Sequence, residues 1–345
     1  MEEEYKYPVC TRCFTFNHAP FIVDAMNGFT MQETTFPVVT IIVDDASTDG
    51  EQDVIRQYLN EHFRKPYRTE ETEYAHIICA DHKTNPNCQF VVLLLKYNHY
   101  SINKDKFSYI SEWLDNAKYH ALCEGDDYWI DSQKLQILVS FLEGHPDHSL
   151  AVHDFKVYES INQRFRKSHP INFLKDNEEY RTLTIDDYKT GLFFTQTLTS
   201  VYRSNALKNS YYNSYEAQFD MTLFYAILTQ GRCVLFNRKM GVYRTHPGSM
   251  TSSKNNRIFH DKVDYKMLKN CVIEKTEESK DFVYNYLKPL ALSEIINKRW
   301  NVLFGSFKYL GFRRGISLTF FIPISLILEI LGRKVRHLLN FKVKK

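Results

Sequence analysis

At 345 residues the chain is long enough for one large α/β domain with an appendage, or for two domains. Its 43% hydrophobic and 25% charged residues exclude a disordered protein. The formal net charge of +3 is small but unevenly spread: Lys298 to Lys345 holds eleven Lys and Arg against one acid, Glu329, so this stretch carries about +10 and the remainder about −7.

The opening residues, Met1 to Tyr5, offer no positive n-region and no apolar h-region, so no secretory signal is expected. Tyr7 to Phe14 reads as a first strand. Pro20 opens a helix with Phe21, Ile22, Ala25, Met26 and Phe29 on one face. Val38 to Val43 is a continuous apolar run, as expected of a strand buried on both faces. Thr48 and Glu51 have capping-box spacing and start a helix with Val54, Ile55, Tyr58, Leu59 and Phe63 inward. Strand, helix, strand, helix predicts a parallel sheet with right-handed crossovers. Arg64 to Glu73 reads as a loop. Ala75 to Cys79 and Phe90 to Leu95 read as two more strands, joined by turn chemistry at Asn85-Pro86-Asn87. A helix is expected around Phe107 to Asn116.

The apolar run Tyr119 to Cys123 then ends in Glu124, Asp126 and Asp127. Asp131 caps a helix through Leu135, Leu138, Val139 and Leu142, which stops at Gly144-His145-Pro146. Leu150 to Tyr158 reads as a strand and contains His153-Asp154, a pair able to line a binding site. Arg164 to Arg181 is polar and irregular. Phe219 to Leu228 reads as a helix closed by Gly231, and Val234 to Tyr243 as a last pair of short strands. The seven cysteines are odd in number and scattered, which suits reduced, mostly buried thiols in a reducing compartment. Cys10 and Cys13 form a CxxC with no second pair.

Gly315 to Gly332 contains one charge, Glu329, and is flanked by Arg313, Arg314, Arg333, Lys334 and Arg336. A spanning helix needs roughly 20 apolar residues, so positive charge on both flanks favours a helix lying in the headgroup layer of an anionic membrane. The segment 313–336 is therefore expected to associate with a membrane, with the protein peripheral on the inner face of the cell membrane. Charges interleaved with a long aliphatic run suit lipid better than a phosphate backbone, so no nucleic-acid partner is expected.

Three carboxylates in four residues repel each other unless a cation sits among them. A strand ending in such a cluster aims it at the carboxyl edge of a sheet, where open α/β folds bind ligands. A second acidic strand end, Val43-Asp44-Asp45-Ala46-Ser47, lies upstream. Two such ends in one sheet suit a nucleotide, with one acid accepting from base or ribose and the other cluster holding a metal against a diphosphate.

These residues resemble a family. Phe14-Thr15-Phe16-Asn17, then Ile41-Ile42-Val43-Asp44-Asp45-Ala46-Ser47-Thr48-Asp49-Gly50, then Glu124-Gly125-Asp126-Asp127-Tyr128-Trp129, look like successive motifs of the family 2 inverting glycosyltransferases of the bacterial surface-polysaccharide type. Gly241 to Ser249 is similar to their Tyr-Arg-x-His segment. The resemblance covers roughly residues 5 to 250. It implies the GT-A fold, a Rossmann-like and mostly parallel central sheet flanked by helices, over residues 1–255. The nucleotide-binding part would be about 1–130 and the acceptor part about 131–255, with a helical, basic C-terminal region over 256–345. It also implies transfer with inversion from a nucleotide-diphosphate sugar, a UDP-sugar first, to a saccharide or lipid-linked acceptor, assisted by Mn2+ or Mg2+.

The resemblance further implies roles. Asp45 would meet the base beside Asp44, Phe16 would stack on the base where the family usually has Tyr, and Thr15 and Asn17 would contact the donor. Asp126 would face the ribose, Asp127 would ligate the metal with His246, and Trp129 could stack on a sugar. Asp220 at a helix start would be the catalytic base, with Glu216 in reserve. Phe14 replaces the usual Pro and His18 an acid often found after Asn17. The competing readings are a nucleotidyltransferase making sugar nucleotides, and a non-catalytic binding protein with a basic tail. The former would want a basic, glycine-rich loop after the first strand, and Thr15 to Phe29 has no Lys or Arg and only Gly28.

Overall fold

The computed structural model describes residues 5–166, 178–190, 195–249, 256–291 and 300–324. They fall into two compact units. The first comprises Met1–Ile185, Phe193–Ser210 and Phe224–Ser249; the second comprises Asp186–Leu192, Tyr211–Leu223 and Met250–Lys345. The expected cut at residue 255 therefore leaves out two inserts, 186–192 and 211–223, that cluster with the second unit.

The first unit is built on β1 (Tyr7–Thr15), α1 (Ile22–Thr30), β2 (Val38–Asp44), α2 (Glu51–His62), β3 (Arg68–Glu71), β4 (Ala75–Asp81), β5 (Cys88–Leu95), α3 (Ser111–Leu114), β6 (Ala117–Leu122), β7 (Tyr128–Trp129), α4 (Lys134–Gly144), β8 (His148–Glu159), β9 (Arg164–Arg166) and β10 (Tyr180–Leu183). Next in the chain is α5 (Ile185–Lys189), nearly all of it in the second unit; then come β11 (Val201–Arg203), α6 (Ser204–Lys208), α7 (Asp220–Leu228), whose first four residues count with the second unit, and β12 (Arg232–Thr245). The strands form one sheet in the order β10-β12-β8-β11-β6-β1-β2-β5-β4-β3, with β7 on β12 and β9 on β8. Its middle, β6-β1-β2-β5, is parallel, as is the β8–β12 pair. The remaining pairings are antiparallel, so the sheet is mixed rather than mostly parallel.

The unbroken apolar run of β2 follows from burial of all seven of its residues. One face meets Ile22, Met26 and Phe29 of α1, Ile55 and Leu59 of α2, and Leu135 and Leu138 of α4. The other face, with Val39, Ile41 and Val43, packs with Val91, Leu93, Ile110 and Trp113. Fully burying such side chains contributes about 1.5–3 kcal/mol each, and the helical 3.6-residue period of α1 and α2 is what presents them together. All seven cysteines are free and buried, and burial pushes the Cys10 thiol up to about 12.

Four local expectations change. Arg68–Glu71, read as loop, is an edge strand whose polar side chains protect the sheet margin. The pair of strands expected at Val234 to Tyr243 is one strand, β12, bent by register shifts around Lys239. The helix expected at Phe107 to Asn116 is a single 3-10 turn followed by α3. The α2 cap is Gly50 in the left-handed region at φ 90°, not Thr48. In the polar stretch Arg164 to Arg181, the described residues contribute β9 and the start of β10; residues 167–177 lie outside the described part.

The second unit is helical: α8 (Asn256–Glu274), α9 (Glu277–Leu287), α10 (Trp300–Leu310) and α11 (Phe312–Ile316), continued by a π-helical turn at Ser317–Phe321. Thr276 caps α9, its hydroxyl accepting from Ser279 N at 3.1 Å. Arg314 donates to Asp281 at 2.5 Å and to Glu277 at 3.1 Å. Among the described residues no helix is long and apolar enough to cross a membrane. Of the expected membrane-associating segment, 325–336 lies outside the described residues.

Candidate active site at the carboxyl edge of the sheet

Strand order builds the site. β1 runs between β6 and β2, parallel to both, with Arg12 opposite Leu122 and Thr15 opposite Asp44. The two acidic strand ends therefore emerge on either side of the β1 terminus. Pairing continues past the strands: Asp45 N donates to Thr15 O at 3.0 Å, and Gly125 N donates to Phe14 O at 3.1 Å. Gly125 is required for this approach, because a Cβ there would lie 2.1 Å from Thr15 Oγ1.

Glu51 joins the loop after β1 to the loop after β2. Its carboxylate accepts from Thr15 Oγ1 at 2.5 Å, from His18 N at 2.8 Å and from Ser47 Oγ at 2.8 Å. Burial raises its pKa to about 7, against the pull of these three donors. Asn17, in the left-handed region at φ 56°, adds a bond from Thr48 N to its Oδ1 at 2.8 Å.

On the other flank Arg244 organises the acidic turn. Its backbone N donates to Asp127 Oδ1 at 2.8 Å, and its guanidinium donates to Asp126 O at 2.8 Å and Asp24 Oδ2 at 2.6 Å. The same guanidinium lies 4.7 Å from the Phe21 ring and 4.8 Å from the Tyr128 ring. The Lys134 ammonium stands 3.9 Å over the Trp129 ring and has no hydrogen-bond partner among the described residues, and burial lowers its pKa to about 7.

Three segments then converge. Asp126 Oδ2 lies 3.1 Å from His246 Nε2 and 4.0 Å from His18 Nε2. One donor atom from each of His18, Asp126 and His246 falls within 4.8 Å of the others. Burial lowers the His18 pKa, keeping the imidazole free to act as a lone-pair donor. For Asp126, burial is outweighed by the hydrogen bond with His246 and the field of His18, which hold the carboxyl below its usual range. Asp127 behaves in the opposite way: burial and the neighbouring Asp126 charge raise it well above that range.

Of the residues expected at a donor site, Thr15, Asn17, Asp44, Asp45, Asp126 and His246 gather at this edge. Phe16 is beside them with its side chain 40% exposed. Asp44 is fully buried: Oδ1 accepts from Ser47 N and Gln52 Nε2, while Oδ2 has no partner among the described residues. Asp45 is engaged by the chain itself, accepting from His99 N at 2.7 Å, Tyr100 N at 3.1 Å and Lys106 Nζ at 2.7 Å.

Three other expected residues, Asp127, Trp129 and His153, do not face this cluster. Asp127, expected as a metal ligand, is turned inward toward Arg244 and is not one of the clustered donors. Trp129, expected against a sugar, is 2% exposed and donates to Leu198 O at 2.9 Å, so both its faces belong to the core. His153 is buried, its Nδ1 2.7 Å from Asp154 O, and offers no surface to an acceptor. Asp220 is exposed at the start of α7 and belongs to the second unit, as does Glu216, which pairs with Lys269 at 2.9 Å. His18 is the functional candidate that sequence reasoning passed over. Its signal was present: a ligand-capable side chain three residues past Thr15, where an acid was anticipated.

No family model matches the chain. Uncharacterized proteins of Mycobacterium bovis and Mycobacterium tuberculosis are 27% identical over 235 residues, covering 67% of this chain and 57% of each relative. The chain thus spans little more than half the length of these curated relatives. Among solved structures, Staphylococcus aureus TarS 1–349 is similar at a TM-score of 0.57 and 14% identity, covering 93% of this chain and 91% of that one. Its complex with UDP-GlcNAc matches at 0.55 and 13%, covering 93% and 92%. The mannosyltransferase PcManGT from Pyrobaculum calidifontis, in complex with GDP-Man and Mn2+, matches at 0.50 and 12%, covering 94% and 84%. At these identities the likeness is one of fold: a mixed α/β chain with a large central sheet and a helical C-terminal region.

The close approach at Gly125 gives a direct test. Gly125→Ala should destabilise the protein by about 1–3 kcal/mol through overpacking, as read by urea denaturation. Gly144→Ala, where a Cβ meets nothing within 4 Å, should leave stability nearly unchanged.

Proposed function

We propose that the protein is a glycosyltransferase that moves a sugar from a nucleoside-diphosphate donor, a UDP-sugar first, to a saccharide or lipid-linked acceptor with inversion. The observation that carries the reading is the meeting of His18, Asp126 and His246 beside the carboxyl ends of β1, β2 and β6. The fold shared with TarS, which has been crystallised with UDP-GlcNAc and with UDP, and with PcManGT, crystallised with GDP-Man and Mn2+, supports it.

Two imidazole nitrogens and a carboxylate oxygen fit a divalent cation. They suit Mn2+ better than Mg2+, which favours oxygen shells. A metal held by His18, Asp126 and His246 would supply positive charge for the leaving diphosphate. Around it, the exposed Phe16 ring offers a face for the nucleobase, and Asn17 and Thr15 shape the loop beneath. Asp220, a carboxylate at a helix start where the macrodipole favours the anion, is assigned as the base. In inverting transfer the base takes the proton of the acceptor hydroxyl as that oxygen attacks the anomeric carbon from the face opposite the diphosphate. Glu216, already paired with Lys269, is the reserve.

We also assign the second unit to an anionic membrane surface on the inner face of the cell membrane. Trp300, Phe304, Phe312, Phe320 and Phe321 are between 47% and 71% exposed, with Lys308 and Arg313 exposed among them. Large exposed aromatics flanked by cations suit an interfacial site.

A panel of sugar nucleotides, assayed for nucleoside-diphosphate release with Mn2+ and with EDTA, should show one metal-dependent substrate. Asp126→Ala should reduce that release by more than the roughly hundredfold that outer-shell changes cost, while the thermal transition stays cooperative; full activity in this variant would remove the metal role. Asp220→Asn should bind the donor normally and lower transfer roughly 10²- to 10⁴-fold; unchanged turnover would shift the base to Glu216. For the surface, the full chain should co-sediment with phosphatidylglycerol vesicles, and Phe320→Asp/Phe321→Asp should reduce this. Equal sedimentation with and without vesicles would contradict the assignment.

A further inference from the structure

Beside the edge that carries the metal candidates is a separate cleft of about 470 Å³, at the β5–β4 side of Asp44. Thr48, Gln52 and Arg56 line it from the start of α2 and the loop before it, and His76 and Lys96 line it from the sheet. Its single lining carboxylate, Glu71, is already committed, with Oε1 2.6 Å from Lys96 Nζ and Oε2 2.7 Å from His76 Nδ1. Arg56 is half-buried, and among the described residues it makes no ion pair and no hydrogen bond. The cleft therefore presents an uncompensated guanidinium to an open volume that Thr48 and His76 also line.

A guanidinium carries five donors in a planar fork that matches a tetrahedral or planar oxyanion two bonds at a time. Leaving it half-desolvated without an acceptor is unfavourable, and an anion is the occupant that relieves this. We propose that this cleft is a second ligand site that takes a phosphoryl group, as inorganic phosphate or as a sugar phosphate. Its wall also reaches the donor edge. Gln52, one helical turn before Arg56, donates to Asp44 Oδ1 at 2.6 Å and to Leu95 O at 3.0 Å. The cleft that would hold an anion on Arg56 is thus lined by the side chain that fixes Asp44. The site stands on its own residues and does not depend on the glycosyltransferase reading.

The test is calorimetric titration of the full chain with inorganic phosphate and, separately, with glucose 1-phosphate, in EDTA so that no divalent cation contributes. Saturable binding of at least one probe is expected. Arg56→Gln should weaken it about ten- to hundredfold, the range of a lost charged hydrogen bond. Arg56→Lys, which keeps the charge and loses the fork, should fall between; it serves as the informative variant if Arg56→Gln folds poorly. Asp126→Asn should bind as the parent does. Tighter binding of the sugar phosphate would identify a phosphorylated saccharide as the natural occupant, and equal binding would identify free phosphate. Absence of saturable binding, or binding untouched by both Arg56 variants, would overturn the proposal. Binding lost in Asp126→Asn but kept in Arg56→Gln would also overturn it, by assigning the anion to the other edge.

Discussion

One buried carboxylate, Glu51, holds the candidate site together. Three donors from two loops converge on it, and none of the three is in its own helix turn. A carboxylate in such a place is unfavourable until hydrogen bonds replace its water, and the residual imbalance is visible in its raised pKa. The consequence is geometric. With Thr15, His18 and Ser47 fixed to one group, the turn that carries His18 cannot move independently of the acidic end of β2.

Arg244 does the corresponding work on the opposite flank, and the two anchors differ in kind. Glu51 collects neutral donors, whereas Arg244 is a cation placed among carboxylates and ring faces. Its backbone N–H reaches Asp127 and its guanidinium reaches the Asp126 carbonyl, so β12 and the acidic turn are joined at two adjacent residues. This separates the two aspartates electrostatically. Asp126 is kept ionised by two imidazoles, and Asp127 is pushed toward its neutral form by burial beside that charge. Two carboxylates in sequence thereby acquire different tasks: one faces the cluster and one anchors the turn.

Much of this was legible from residue patterns. The continuous apolar run Val38 to Val43 required a doubly covered strand, and β2 is one. The two acidic strand ends had to share one sheet margin if the β-α alternation was right, and they flank β1. What the pattern could not resolve was orientation over one residue. Asp126 and Asp127 are indistinguishable as letters, and only the bond from Arg244 N, more than a hundred residues later, decides which turns inward. Trp129 was similarly ambiguous, because an aromatic beside an acidic motif suits a sugar as well as a core; Lys134 above it and Leu198 beside it settle it as core. Glu51 obeyed capping-box spacing, yet Gly50 in the left-handed region takes the cap and frees the carboxylate for long-range bonds.

The account rests on three side chains from distant segments serving one cation. Crystals of the full chain grown with Mn2+ and UDP, with diffraction recorded at the manganese edge, test this most directly. The account predicts a single strong anomalous peak within bonding distance of His18, Asp126 and His246. A peak bound instead by Asp127 without the two histidines, or none at this edge with nucleotide present, would contradict it.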